Sequence, residues 1–124
     1  MADVVFTDRE LDIMSVLWEH GSATVAEVRD ALHDELAYTT VLTILRTLEE
    51  KGYVTHQEEG RAHRYLPAVE RARAEKSAVG RLLRKLFRGS PELLLTQLVA
   101  DRKLTDSDLK RMRRLIDERL KKGD

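Results

Sequence analysis

Two helix-start signals, seventeen residues apart, constrain this chain more than any other feature. Thr7-Asp8-Arg9-Glu10 and Thr24-Val25-Ala26-Glu27 both read as capping boxes. In each, a threonine hydroxyl takes a free backbone N–H and the glutamate three residues on reaches back. Leu11, Met14, Leu17 and Trp18 follow the first box at helical spacing, with Phe6 and Leu11 placed as a hydrophobic staple and Gly21 as the stop. Val25, Val28 and Leu32 give the second helix two to three turns.

A connector at His33–Ala37 leads to a third helix, expected over about Tyr38–Lys51 with Gly52 as its stop. Val41, Ile44, Leu45 and Leu48 recur at i, i+3, i+4, i+7 and mark its core face. The other face carries Thr39, Thr40, Thr43, Arg46 and Thr47, and no acid occurs from Ala37 to Leu48. β-Branched threonines lose rotamers in a helix, so helix propensity does not explain four of them.

Strand-prone residues at Tyr53–Gln57 and Ala62–Pro67 then flank a polar, glycine-containing loop, Glu58–Arg61, and read as a hairpin. That loop would set His56 opposite His63 and Thr55 opposite Arg64. Residues around Ala23 can add a short third strand. Three helices followed by a hairpin is the order of a winged helix–turn–helix. The expected fold is therefore mostly α with a small β-hairpin wing, the winged helix occupying residues 1–67.

The remainder, 68–124, reads as helical. Ala68–Arg88 carries Ala72, Val79, Leu83, Leu86 and Phe87 on one side and bases on the other, and Gly89 breaks it. Ser90-Pro91 opens a helix over Glu92–Asp101 with Leu94, Leu95, Leu98 and Val99. Thr105-Asp106-Ser107-Asp108 caps a last one bearing Leu109, Met112, Ile116 and Leu120. A chain of 124 residues cannot easily bury so much aliphatic surface by itself. A homodimer is expected, held by Leu83, Leu86, Phe87, Leu94, Leu95, Leu98, Leu109, Met112 and Ile116.

The formal charge of zero hides a split: 4 bases and 13 acids in residues 1–60, 18 and 9 in residues 61–124. Cysteine is absent, which excludes disulfides, thiolate metal sites and cysteine nucleophiles. No uncharged apolar run nears the ~18 residues of a membrane span, and Met1–Phe6 has an acid where an export signal has a base. A cytoplasmic protein with no membrane insertion is expected. No phosphate loop, HExxH, GxSxG or carboxylate-pair signature appears, so nothing supports an enzyme and no cofactor is expected.

The third-helix polar face is the best functional candidate. In a helix–turn–helix the second helix enters the major groove, where threonine reaches phosphates, base edges and thymine methyls, and arginine reads guanine. Tyr38, Thr39, Thr40, Thr43, Arg46 and Thr47 are the candidates there, with Arg61 and Arg64 on the wing for phosphates or a minor groove. Lys51 serves the helix dipole as well as any phosphate. Two rival readings stand beside this one. Winged helices also serve as protein-docking scaffolds. A His56–His63 pair with Glu58 or Glu59 could instead sense a metal or small ligand, although no metal is expected.

Leu36-Ala37-Tyr38-Thr39-Thr40-Val41-Leu42-Thr43-Ile44-Leu45, then Lys51-Gly52-Tyr53-Val54 and Arg61-Ala62-His63-Arg64-Tyr65, resembles the penicillinase-repressor family of BlaI, MecI and CopY type. The resemblance, which extends to Thr7–Trp18, implies a homodimeric repressor on a palindromic double-stranded DNA operator. It places Tyr38, Thr39, Thr40, Thr43 and Arg46 on the recognition helix and Arg61 and Arg64 on the wing. Three departures accompany it. Many members have arginine at the position of Thr47. Copper-responsive members end in cysteines, and this chain has none. Penicillinase-type members are cut at an Asn–Phe bond by a membrane sensor-protease, and the matching pair here is Gln97-Leu98.

Overall fold

A computed structural model describes residues 3–123. In chain order its elements are α1 (Asp8–His20), β1 (Ala23–Thr24), α2 (Val25–Ala31), α3 (Tyr38–Glu50), β2 (Val54–Glu59), β3 (Ala62–Pro67), α4 (Arg71–Lys85), α5 (Pro91–Ala100) and α6 (Asp106–Lys121). The strands form one antiparallel sheet in the order β1-β3-β2. The fold is thus the winged-helix arrangement expected from the order of elements, with Ala23–Thr24 as the third strand.

Local signals set the helix starts. Thr7, Thr24 and Thr105 each close a complete capping box, with Glu10, Glu27 and Asp108 respectively. Ser90 accepts the Leu93 N–H ahead of Pro91. Gly21 and Gly52 end α1 and α3 at φ 82° and 83°, a region closed to most side chains.

One core joins the first three helices, the sheet and the start of α4. Ile13, Met14, Leu17, Val28, Val41, Leu45 and Leu48 are fully buried in it, together with Val54 and Tyr65. Two readings of core faces need correction. Leu11 is 44% exposed, so Phe6 finds other partners, packing edge-on against Trp18 and Tyr53 at 6.0 and 4.9 Å. Its place on the inner face of α1 goes to Ile13 and Val16. On α4 the buried alanine is Ala74, not Ala72.

The expected domain boundary is at 67/68, and compactness divides the chain further on. The chain divides into two compact units between Val79 and Gly80. The first keeps the start of α4 because Val69 and Ala74 complete its core, Trp18 donates its indole N–H to the Val69 carbonyl at 2.9 Å, and Ser77 accepts the Val4 N–H at 3.2 Å. The second unit, α5 and α6 with the end of α4, buries none of its described residues. Leu86, Leu98, Leu115, Ile116 and Leu120 are between 47% and 71% exposed there.

Candidate nucleic-acid interface

The face of α3 opposite the core is open along its length. Tyr38, Thr39, Thr40, Thr43 and Arg46 are exposed, and Thr47 is partly so. Arg46 makes no ion pair among the described residues and is free to meet a base or phosphate. The threonines are less free. Thr43 donates its hydroxyl to the Thr39 carbonyl at 2.9 Å and Thr47 to that of Thr43 at 3.0 Å. With their protons spent inside the helix, these side chains offer a methyl and an acceptor lone pair outward. That suits a thymine methyl or an amino donor better than a phosphate.

A further signal lies at the helix start. The N-cap of α3 is Ala37, which gives no side-chain cap, and position N3 is Thr40, where α1 and α2 have glutamate. The first-turn N–H groups of α3 therefore keep their partial positive charge without a side-chain acceptor, and no acid sits in that turn. The sequence already held this signal in the absence of a capping residue before Tyr38.

The far end of α3 is tied down twice. Lys51 donates to the Glu10 carboxylate at 2.8 Å, which links α3 to the first turn of α1. That contact, rather than a phosphate, occupies Lys51. Glu10 is nearly buried. Burial alone pushes its carboxyl up, but the Lys51 ammonium, the Thr7 N–H and the Thr7 hydroxyl outweigh it and hold it below the ordinary 4.5. A depressed folded pKa stabilises the fold above the unfolded value and ceases to do so as pH falls through the folded one. We expect Glu10→Gln to cost about 1–3 kcal/mol at neutral pH. The gap to wild type should close on acidification below pH 4.5, read from urea midpoints at each pH. A gap independent of pH would contradict the role given to this carboxylate.

The second tie is His56, whose Nδ1 lies 2.6 Å from a Glu49 carboxylate oxygen. This pair couples the wing to the last turn of α3, and sequence reasoning missed it because its members belong to different elements. Tyr65 lies beneath. Its phenol is pushed up by burial and by the Glu49 charge, with Arg46 acting in the opposite sense.

The hairpin register differs from the expected one. Glu59 pairs with Ala62, so the turn is the two residues Gly60-Arg61 and not the four of Glu58–Arg61. Gly60 takes φ 61° while Arg61 keeps a negative φ, the pattern of a tight hairpin turn with glycine first. As a result His56 faces Tyr65, Glu58 faces His63 and Gln57 faces Arg64. The two imidazoles still meet diagonally, stacked at 4.4 Å. Stacked rings do not converge on one ion, and Glu59 is engaged by Arg64. Among the described residues no three His, Asp or Glu side chains are arranged to hold a metal.

Arg61 is exposed at the turn and makes no ion pair among the described residues. Arg64 is placed otherwise. Its Nε and Nη2 reach Glu59 at 3.2 and 2.9 Å, and its Nη1 reaches Glu27 at 3.0 Å and the Ser22 hydroxyl at 3.4 Å.

Comparison with known sequences completes the picture. Residues 6–118 match the family described as Penicillinase repressor. The chain belongs to the penicillinase repressor family. That is a family of DNA-binding transcriptional repressors and not of enzymes. A Penicillinase repressor of Bacillus licheniformis is 24% identical over 114 residues, 90% of this chain and 89% of that protein. A Transcriptional regulator BlaI of Mycobacterium tuberculosis is 43% identical over 63 residues, 48% of this chain and 46% of that protein. Among solved structures, the DNA-binding domain of the repressor BlaI matches at TM-score 0.50 with 33% identity, over 54% of this chain and 84% of that one. A MarR family protein from Bacillus stearothermophilus matches at TM-score 0.56 over 97% of this chain and 76% of that one. At 16% identity the second likeness is one of fold alone. Within this penicillinase-repressor chain no helix among the described residues is long and apolar enough to cross a membrane.

Proposed function

We propose that this chain is a homodimeric repressor that places α3 of each protomer in the major groove of a palindromic operator. The observation that carries the reading is the open, acid-free face of α3, the element that in a winged helix enters the groove. Tyr38 and the uncapped first turn meet a phosphate. Thr39, Thr40, Thr43 and Thr47 meet base edges and methyls, Arg46 reads a purine, and Arg61 approaches the backbone or minor groove from the wing. The fold and relatives support this over a docking module.

The dimer rests on residues 80–123, where Leu83, Phe87, Leu94, Leu109 and Met112 are only half-covered and Leu86, Leu95, Leu98 and Ile116 stand exposed. A second copy is the natural cover for such surface, and it sets the half-sites about one helical turn, or a multiple, apart. Release follows an inducing signal. A membrane sensor-protease acting at Gln97–Leu98 has to open α5 first, because both residues lie inside that helix.

Footprinting on the DNA upstream of the gene and its neighbours identifies the operator. Anisotropy titration against that duplex and a scrambled one then tests the reading, and equal binding to both would refute it. We expect Arg46→Ala to cost about 1–3 kcal/mol on the operator and much less on the scrambled duplex, because a base contact discriminates and a phosphate contact does not.

A further inference from the structure

Resting on the DNA-binding reading above, we infer that Arg64 is a positioning residue that clamps the wing, and that the wing's phosphate contact belongs to Arg61 alone. The two arginines stand three residues apart with very different surroundings.

All three guanidinium nitrogens of Arg64 are committed within the protein. Two hold Glu59 in a fork near the end of β2, and the third bridges to Glu27 and Ser22. Glu27 is itself fixed, because the oxygen that accepts from Arg64 also accepts the Thr24 N–H at 2.9 Å and closes the α2 capping box. β1 pairs with β3 at this same level, Thr24 facing Arg64. One side chain thus gathers the wing strand, the short third strand and the first turn of α2. That helix braces α3 within the helix–turn–helix.

The charge balance argues against a phosphate ligand. One guanidinium between two carboxylates leaves the cluster at a net −1. The Glu27 carboxyl is held low by the Thr24 backbone N–H and by Arg64, so it stays ionised at neutral pH. A phosphate brought here meets net repulsion and has to break a fork of two charge-assisted bonds. Arg61 has no such carboxylate partner among the described residues. The fork requires arginine, since lysine offers a point charge without the planar geometry.

The test is a set of salt titrations of the full-length chain on the footprinted operator duplex, with Arg61→Gln, Arg64→Gln, their double variant, Arg64→Lys and Glu59→Gln. Removing one phosphate contact lowers the slope of log K against log salt by about 0.9. If Arg64 only aims the wing, Arg61→Gln, Arg64→Gln and the double variant all remove the same single phosphate contact per protomer. Arg64→Lys and Glu59→Gln then follow them despite retaining the cation. Hydroxyl-radical footprints at saturation should show the wing's protection gone and that of α3 intact. The proposal falls if the double variant reduces the slope twice as much as either single, if Arg64→Lys or Glu59→Gln keeps the wild-type slope, or if Arg61→Gln has no effect. A footprint weakened uniformly, with a lowered melting temperature, also overturns it, since that marks general destabilisation. Should Arg64→Gln not fold, Glu59→Gln, which removes the charge and one of the two acceptor oxygens of the fork, decides alone. Absence of any operator binding by the wild type would instead defeat the underlying reading.

Discussion

A chain ending at Val79 should fold, recognise the same operator, and bind it about 10²–10⁴-fold more weakly than the full-length protein. The cut falls where the structure divides, so the fragment keeps Val69, Ala74 and the Val4–Ser77 bond that complete its core. A cut after Leu66 would remove those groups and test folding instead of avidity. The fragment carries nine bases against fifteen acids, a poor balance for holding a polyanion. In the proposed dimer the second α3 would bind as an intramolecular event at an effective concentration near millimolar, and that gain would disappear with residues 80–124. Circular dichroism confirms the fold and anisotropy reads the affinity. Operator affinity equal to that of the full chain would end the dimer proposal.

Leu45→Ala should cost about 2–5 kcal/mol of stability, a large share of the roughly 5–15 kcal/mol that holds a domain of this kind. Leu45 is fully buried on α3, one residue before Arg46, in the core shared with α1, α2 and the sheet. Truncation removes its packing and leaves a cavity that the neighbouring backbone fills only in part. Loss of operator binding should then follow loss of folded protein. At temperatures where the variant is still folded, binding should return to within a few-fold of wild type, because Leu45 touches no DNA. Urea unfolding gives the stability, and titration below the transition gives the affinity. A stability change under about 1 kcal/mol would show that the site collapses around the smaller side chain.

What the sequence alone determined is local. The capping boxes at Thr7, Thr24 and Thr105 lie within four consecutive residues each, so the chain reads them without knowing its fold. The core stripe of α3 and its acid-free opposite face follow from the 3.6-residue period. Element order then made the winged helix legible, because few architectures accept three short helices followed by a hairpin. Tertiary structure decided what depends on partners far apart in sequence. The hairpin register followed from a two-residue turn that composition did not distinguish from a four-residue one. Leu11 was left to solvent because the sheet and α3 cover a neighbouring face of α1. The start of α4 belongs to the first compact unit because Trp18 and Val4 hold Val69 and Ser77 from more than fifty residues away. Above all, Arg64 resembles Arg61 in sequence, and only the fold brings Glu27 and Glu59 to its guanidinium. The charge of a side chain is written in the chain, but what that charge faces is settled by packing.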